Sequence, residues 1–185
     1  MEHCYYRTIL DPTNMYDKNW KYVPTKIFDL QLNIVPITDY FIKYLESFGL
    51  LFDSTLFFYS KIALNCTAHI DMYTTGGLAN PGLNYIIGGK NSLMTWYNTP
   101  TYTEKPSLSS AGVIYQEFLV KDLELIDSYE LKQNELTLVR VDIPHSVRIG
   151  QEPRMCISIR FKPKKHIPWN SHVEMFSAKG LIIPR

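Results

Sequence analysis

The sequence is poor in cysteine and glycine, and it has no long apolar run and no excess of charge of either sign. Its three cysteines, Cys4, Cys66 and Cys156, are scattered and form no CxxC pair, so neither a zinc knuckle nor a disulfide framework is suggested. A reducing, cytoplasmic setting is the simplest expectation. No segment approaches the roughly 18 consecutive apolar residues that a membrane-spanning helix needs. The N-terminal stretch MEHCYYRTILDPTNMYDKNWKY lacks the basic and apolar regions of a secretory signal. Nineteen basic residues stand against 18 acidic ones, with a pI near 7.7, which argues against broad attraction to nucleic acid or to an anionic membrane. The basic run KPKKH (162–166) is expected to be a solvated patch. Internal repeats, low-complexity tracts and recognisable linkers are all missing.

What is present is apolar and aromatic. Of 185 residues, 45% are hydrophobic and 14% aromatic, enough to bury a core without covalent staples. We expect one domain over 1–185: an N-terminal extension (1–52), a β core (53–162) and a C-terminal tail (163–185). The extension holds one strand near Lys26–Ile34 and a helix over 37–48. Ile37, Phe41, Tyr44, Leu45 and Phe48 follow helical spacing there, Thr38 or Asp39 stands where a cap belongs, and Gly49 follows the last turn.

Beyond Gly49, short aromatic and β-branched segments alternate with Gly, Pro and Asn. Strands are predicted near Thr55–Tyr59, Lys61–Tyr73, Leu83–Ile87, Leu93–Tyr97, Val113–Phe118, Leu136–Asp142 and Arg154–Phe161. Turn signals lie at 74–82, 88–91 and 149–153. Asp122–Leu131 suits strand or helical turn equally. The tail is polar up to a short apolar stretch, Gly180–Pro184, that docks on the body. Many short strands after one helix indicate a mainly β fold, a sandwich or barrel with helical decoration.

The string NCTAHIDMY (65–73) carries the chemistry. Side chains alternate across a strand, so His69 and Asp71 point to the same face. An imidazole and a carboxylate so placed can hold a divalent cation. His145, in DIPHSVRIG, is the natural third ligand. Two histidines and one carboxylate on one side of a metal leave positions open opposite them, the facial arrangement of non-haem Fe(II) oxygenases. HxD alone is common by chance. The order HxD, then strands, then a lone histidine and an arginine is more specific in a chain with only five histidines. His3, His166 and His172 fall outside any ligand spacing, and Cys66 and Cys156 look like small buried residues.

The segments LNYIIGGKNSLMTWY (83–97) and PHSVRIGQEPRMCISIRF (144–161), together with HxD, resemble the 2-oxoglutarate/Fe(II)-dependent dioxygenases, specifically their small hydroxylase-like members. The resemblance covers roughly residues 61–162. It implies a double-stranded β-helix (jelly roll, cupin-like) with the N-terminal helix packed outside, and Fe(II) at His69, Asp71 and His145. It also implies 2-oxoglutarate as co-substrate, with an arginine pairing with its distal carboxylate, a task suited to a permanently charged, fork-shaped guanidinium. Arg154 and Arg160 share strand parity and compete for that role; Arg154 is favoured by its spacing from His145. The family's Arg-x-Ser is here Arg154-x-Cys156, with Ser158 two residues later. Asn84 is a candidate hydrogen-bonding residue for the co-substrate. Tyr85, Thr95 and Tyr97 are candidate pocket residues if their parity faces inward. Residues 74–82 resemble the loop that closes over substrate in that family, and Arg148 is taken as a loop residue.

The expected activity is therefore an oxygenase, a hydroxylase releasing succinate and CO2, acting on a small molecule or a peptide. The alternative is a cupin-like protein that binds a metal or small ligand without turnover. An arginine on the cavity floor near the metal separates the two.

Overall fold

Alternation is clearest in the last strand of the chain. In RMCISIRF, Met155, Ile157, Ile159 and Phe161 pack into one apolar core, while Arg154, Cys156, Ser158 and Arg160 line a cavity on the other side. The remaining strands divide in the same way. In this computed structural model, residues 3–61, 67–73, 76–99, 106–109, 111–150, 152–162 and 165–183 are described. They form β1 (Tyr5–Arg7), β2 (Phe28–Leu32), α1 (Asp39–Ser47), β3 (Phe52–Ser60), β4 (Ala68–Met72), β5 (Gly82–Gly88) and β6 (Leu93–Tyr97). Then come β7 (Ser107–Leu108), β8 (Ile114–Phe118), β9 (Leu125–Glu130), β10 (Leu136–Val139), β11 (His145–Arg148), β12 (Arg154–Phe161) and α2 (Trp169–Ala178).

Among the described residues the fold is mainly β, with two antiparallel six-stranded sheets and two helices. One sheet runs β1-β10-β5-β12-β3-β2, the other β7-β8-β4-β11-β6-β9. Chain direction alternates between them: β3, β5, β10 and β12 belong to the first sheet, β4, β6, β9 and β11 to the second. Register is set by burial, because a slip of one residue would turn the arginines of β12 into the apolar core and its isoleucines into the cavity. β12 pairs with β3 through Ile157↔Phe57 and with β5 through Ser158↔Asn84.

The helices cover the outer face of the first sheet. Phe41 and Leu45 of α1 and Trp169 and Phe176 of α2 join Phe57, Leu83, Ile157 and Ile159 in that core. The α1 prediction holds within two residues at each end: Thr38 Oγ1 accepts from the Phe41 amide at 3.1 Å, and Gly49 adopts φ +73 after the last turn. A second apolar cluster, including Tyr5, Ile86, Trp96, Val139 and Ile143, fills another part of the molecule.

Several expectations need correction. The tail is not merely polar: α2 occupies 169–178 and buries Trp169, His172 and Phe176. Its apolar residues are spaced for a helix, but Pro168 at the cap position makes no side-chain bond and the intervening residues are polar, which hid the pattern. β1 was not expected; three residues leave too little alternation to detect, and pairing with β10 supplies its stability. The ambiguous segment becomes a 3-10 turn at Val120–Asp122 followed by β9. Arg148 ends a strand rather than lying in a loop. β4 begins at Ala68; the earlier part of its predicted span, with Cys66, lies outside the described residues, as do positions 74–75 of the loop after HxD. Among the described residues no helix is long and apolar enough to cross a membrane.

Candidate metal centre

β11 lies between β4 and β6, and its first residue stands opposite β4: the Cα partner of His145 is His69. Cross-strand partners point to the same face, so the two imidazoles meet, with ring centroids 4.5 Å apart. Two residues along β4, Asp71 points the same way, its Oδ1 3.5 Å from His69 Nε2. One ligand atom from each of His69, Asp71 and His145 lies within 4.8 Å of the others, a grouping able to hold a metal ion.

The two histidines are oriented alike. His69 Nδ1 lies 3.0 Å from the Thr67 carbonyl, and His145 Nδ1 lies 3.0 Å from the Ile143 carbonyl. A carbonyl can only accept, so each Nδ1 carries the proton and each Nε2 is left with its lone pair for a metal.

Asp71 and His145 are buried, at 7% and 4% exposure, and His69 is partly open. Burial acting alone would raise the Asp71 carboxyl; the charges of Arg160, His145 and His69 outweigh it and hold the group below the usual carboxylate range. The His145 imidazole is pushed down to about 4, first by burial and then by the neighbouring His69. Both shifts keep the ligands in the forms that bind cations.

A cavity of about 380 Å³ surrounds the triad, walled by residues of both sheets, and Arg154, Arg160 and Asn84 line it too. Six of the nine sequence-predicted site and pocket residues therefore converge, and Thr95 is not among them. Neither is Tyr97: its hydroxyl lies 3.1 Å from Ser146 Oγ and its ring packs with Ala68, Ile70 and Phe118. Strand alternation sets it apart: Met94 is the β6 residue that reaches the cavity, and Tyr97, three positions on, has the opposite parity. Tyr85 likewise packs into the outer core.

The two arginines differ. Arg160 Nη2 donates to Asp71 Oδ2 at 2.7 Å, and Nη1 reaches the Asn80 carbonyl at 3.4 Å. Arg154 is 4% exposed and sits beside the Cys156 thiol, and no carboxylate among the described residues reaches it; the Nε of both arginines has no partner among the described residues. Asn84 Oδ1 and Ser158 Oγ are also buried without partners. Buried polar atoms are normally satisfied, and these four gather in one cavity. Beneath it lies Gly82, where an added Cβ would come 2.7 Å from Ser158 Oγ. The rest of the wall is largely apolar: Phe28, Leu30, Phe58, Val113 and Val147.

Sequence reasoning missed Asn80, Asp142 and His166, which grip the segments bearing Asp71 and His145. His166 was set aside for its spacing, and only the three-dimensional path of the tail brings it to Asp142, Nε2 to Oδ2 at 2.9 Å.

No family model matches this chain. No curated protein matches it. Among solved structures, the X-ray structure of E. coli ycfD aligns with a TM-score of 0.36 and 12% identity, over 69% of this chain and 29% of that one.

Proposed function

We propose that the protein is an Fe(II)- and 2-oxoglutarate-dependent oxygenase, a hydroxylase in a reducing cytoplasm, built on a double-stranded β-helix. The fold reading is supported by the winding of eight strands between two sheets, with β12 closing the first sheet and β11 the second. The metal reading is supported by the two Nε2 atoms and one carboxylate on one face.

One observation carries the co-substrate reading: a buried guanidinium with no counter-charge among the described residues, Arg154, shares a cavity with the triad and with polar atoms of Asn84 and Ser158 that find no partner among those residues. Leaving a permanent charge buried and unpaired is costly, and an anionic ligand removes that cost. A dicarboxylic oxo acid suits the site because its far carboxylate can take both edges of the Arg154 fork.

His69, Asp71 and His145 would hold Fe(II), which when bound brings oxygen and the oxo acid together and supplies the oxidising power that ends in succinate, CO2 and a hydroxylated product. The protein's own part is positional. Carbonyl-tethered Nδ1 atoms fix both imidazole planes, Arg160 fixes the carboxylate, Arg154 anchors the co-substrate, and the apolar wall keeps water from the reacting centre.

The test is anaerobic titration with Fe(II) and 2-oxoglutarate. A weak visible charge-transfer band should appear, and Asp71→Ala should abolish it. Metal binding without that band and without succinate in air would instead identify a cupin-like binding protein.

A further inference from the structure

Outside the cavity, a polar assembly joins the C-terminal strap, residues 165–167, to both segments that carry the metal ligands. On the His145 side, the Asp142 carboxylate is held at both oxygens: Arg140 Nε donates to Oδ1 at 2.8 Å, and His166 Nε2 lies 2.9 Å from Oδ2. The next residue is Ile143, whose carbonyl receives the His145 Nδ1 proton at 3.0 Å. On the Asp71 side, Asn80 is 4% exposed and clamps the same strap: Nδ2 donates to the Lys165 carbonyl at 3.1 Å, and Oδ1 accepts from the Ile167 amide at 2.8 Å. The residue before it, Ala79, donates its amide to the Asp71 carbonyl at 3.0 Å, and Asp71 in turn donates to the Val141 carbonyl at 3.0 Å. The two ligand segments are thus joined to each other and to one strap.

We infer that the strap is part of the metal centre, with His166 a positioning residue that acts through Asp142 and the Ile143 carbonyl on the His145 ring, and Asn80 its counterpart for Asp71. The inference rests on the reading of His69, Asp71 and His145 as metal ligands. Metal-bound imidazoles depend on the group that takes their second proton, and disturbing such outer groups commonly weakens metal binding by about ten- to a hundredfold. Here that group is a backbone carbonyl, and its position follows from the Asp142 carboxylate beside it. Helix α2 has anchors of its own, Trp169 and Phe176 in the outer core, and its buried His172 also faces Asp142 and His166.

Binding of Mn(II) alone, measured by calorimetry on the full chain, tests the inference. His166→Ala should raise the dissociation constant about tenfold, and His166→Gln, which keeps a donor toward Asp142, should restore most of it. Asp142→Asn should weaken binding with little change of shape, and serves if His166→Ala does not fold. Trp169→Phe loses its bond from Nε1 to the His3 carbonyl and loosens the helix without touching the frame, so it should lower the melting temperature and leave the dissociation constant within twofold. Unchanged Mn(II) affinity in both His166→Ala and Asp142→Asn overturns the inference while leaving the metal reading intact, as does a loss in Trp169→Phe equal to that in His166→Ala. A wild-type chain that binds no Mn(II) removes the metal reading itself, and this inference with it.

Discussion

Arg160 and Asp71, 89 positions apart in sequence, form a 2.7 Å ion pair on the cavity floor that occupies one carboxylate oxygen and leaves the other directed at His69. The division of labour is specific. Oδ2 is neutralised by the protein, and Oδ1 is available to a cation.

Removing Arg160 leaves a buried carboxylate without its partner. Arg160→Ala should destabilise the metal-free protein by about 3 kcal/mol in urea unfolding, the low end for breaking a buried ion pair. Saturating Mn(II) should recover part of that loss, because the cation takes over the neutralisation. A loss below about 0.5 kcal/mol would mean that the pair is not formed in solution.

Arg154 should behave differently. Arg154→Gln is expected to weaken 2-oxoglutarate binding to the Mn(II)-loaded protein about tenfold or more, the value of a charge-assisted hydrogen bond, while Mn(II) affinity stays within twofold. If Arg160→Ala instead weakens the oxo acid selectively, the co-substrate lies six residues further along β12.

Acid should destabilise the metal-free chain before carboxylates titrate. Unfolded, the His145 imidazole titrates near 6.5; folded, burial and His69 hold it down to about 4. Between those values the unfolded chain binds a proton that the native one refuses. Stability is therefore complete above about pH 6.5 and falls as the pH drops toward 4, by up to about 3 kcal/mol. His172, lowered chiefly by burial, adds to the same trend. Urea midpoints at pH 7, 6 and 5 measure the slope, and His145→Phe should flatten most of it.

The C-terminal helix is a core element, and Phe176 tests that. It is 1% exposed within the outer core, so Phe176→Ala should cost about 3–4 kcal/mol in chemical denaturation, as large-to-small core changes do. A surface-like change under 1 kcal/mol would show the helix to be undocked.

The sequence disclosed those parts of the molecule that obey a local period. Helix α1 showed its apolar spacing and its cap, β12 showed two alternating faces with both arginines on one of them, and HxD put His69 and Asp71 on one side of β4; His145 was named from its order in the chain and from the family resemblance. What stayed hidden depends on contacts far along the chain. Which parity of β6 faces inward was open in the sequence: the cavity takes Met94, so Tyr97 falls on the opposite face. His166 has no ligand spacing, and its role arises only where the tail meets Asp142. α2 draws its stability from Trp169 and Phe176 against the first sheet, not from a capped, strongly periodic sequence. Which of the two arginines is free is likewise a matter of what stands opposite, and Asp71 decides it.

The seat of β12 has a consequence for synthesis on the ribosome. This strand is inserted between β3 and β5, although it comes after both in the chain and after every other described strand. Until Phe161 has left the exit tunnel, two strands of the growing chain expose unpaired edges to their surroundings. Substitutions that slow the docking of β12 should therefore reveal themselves as insoluble protein in the expressing cell, ahead of any defect in the fraction that is recovered.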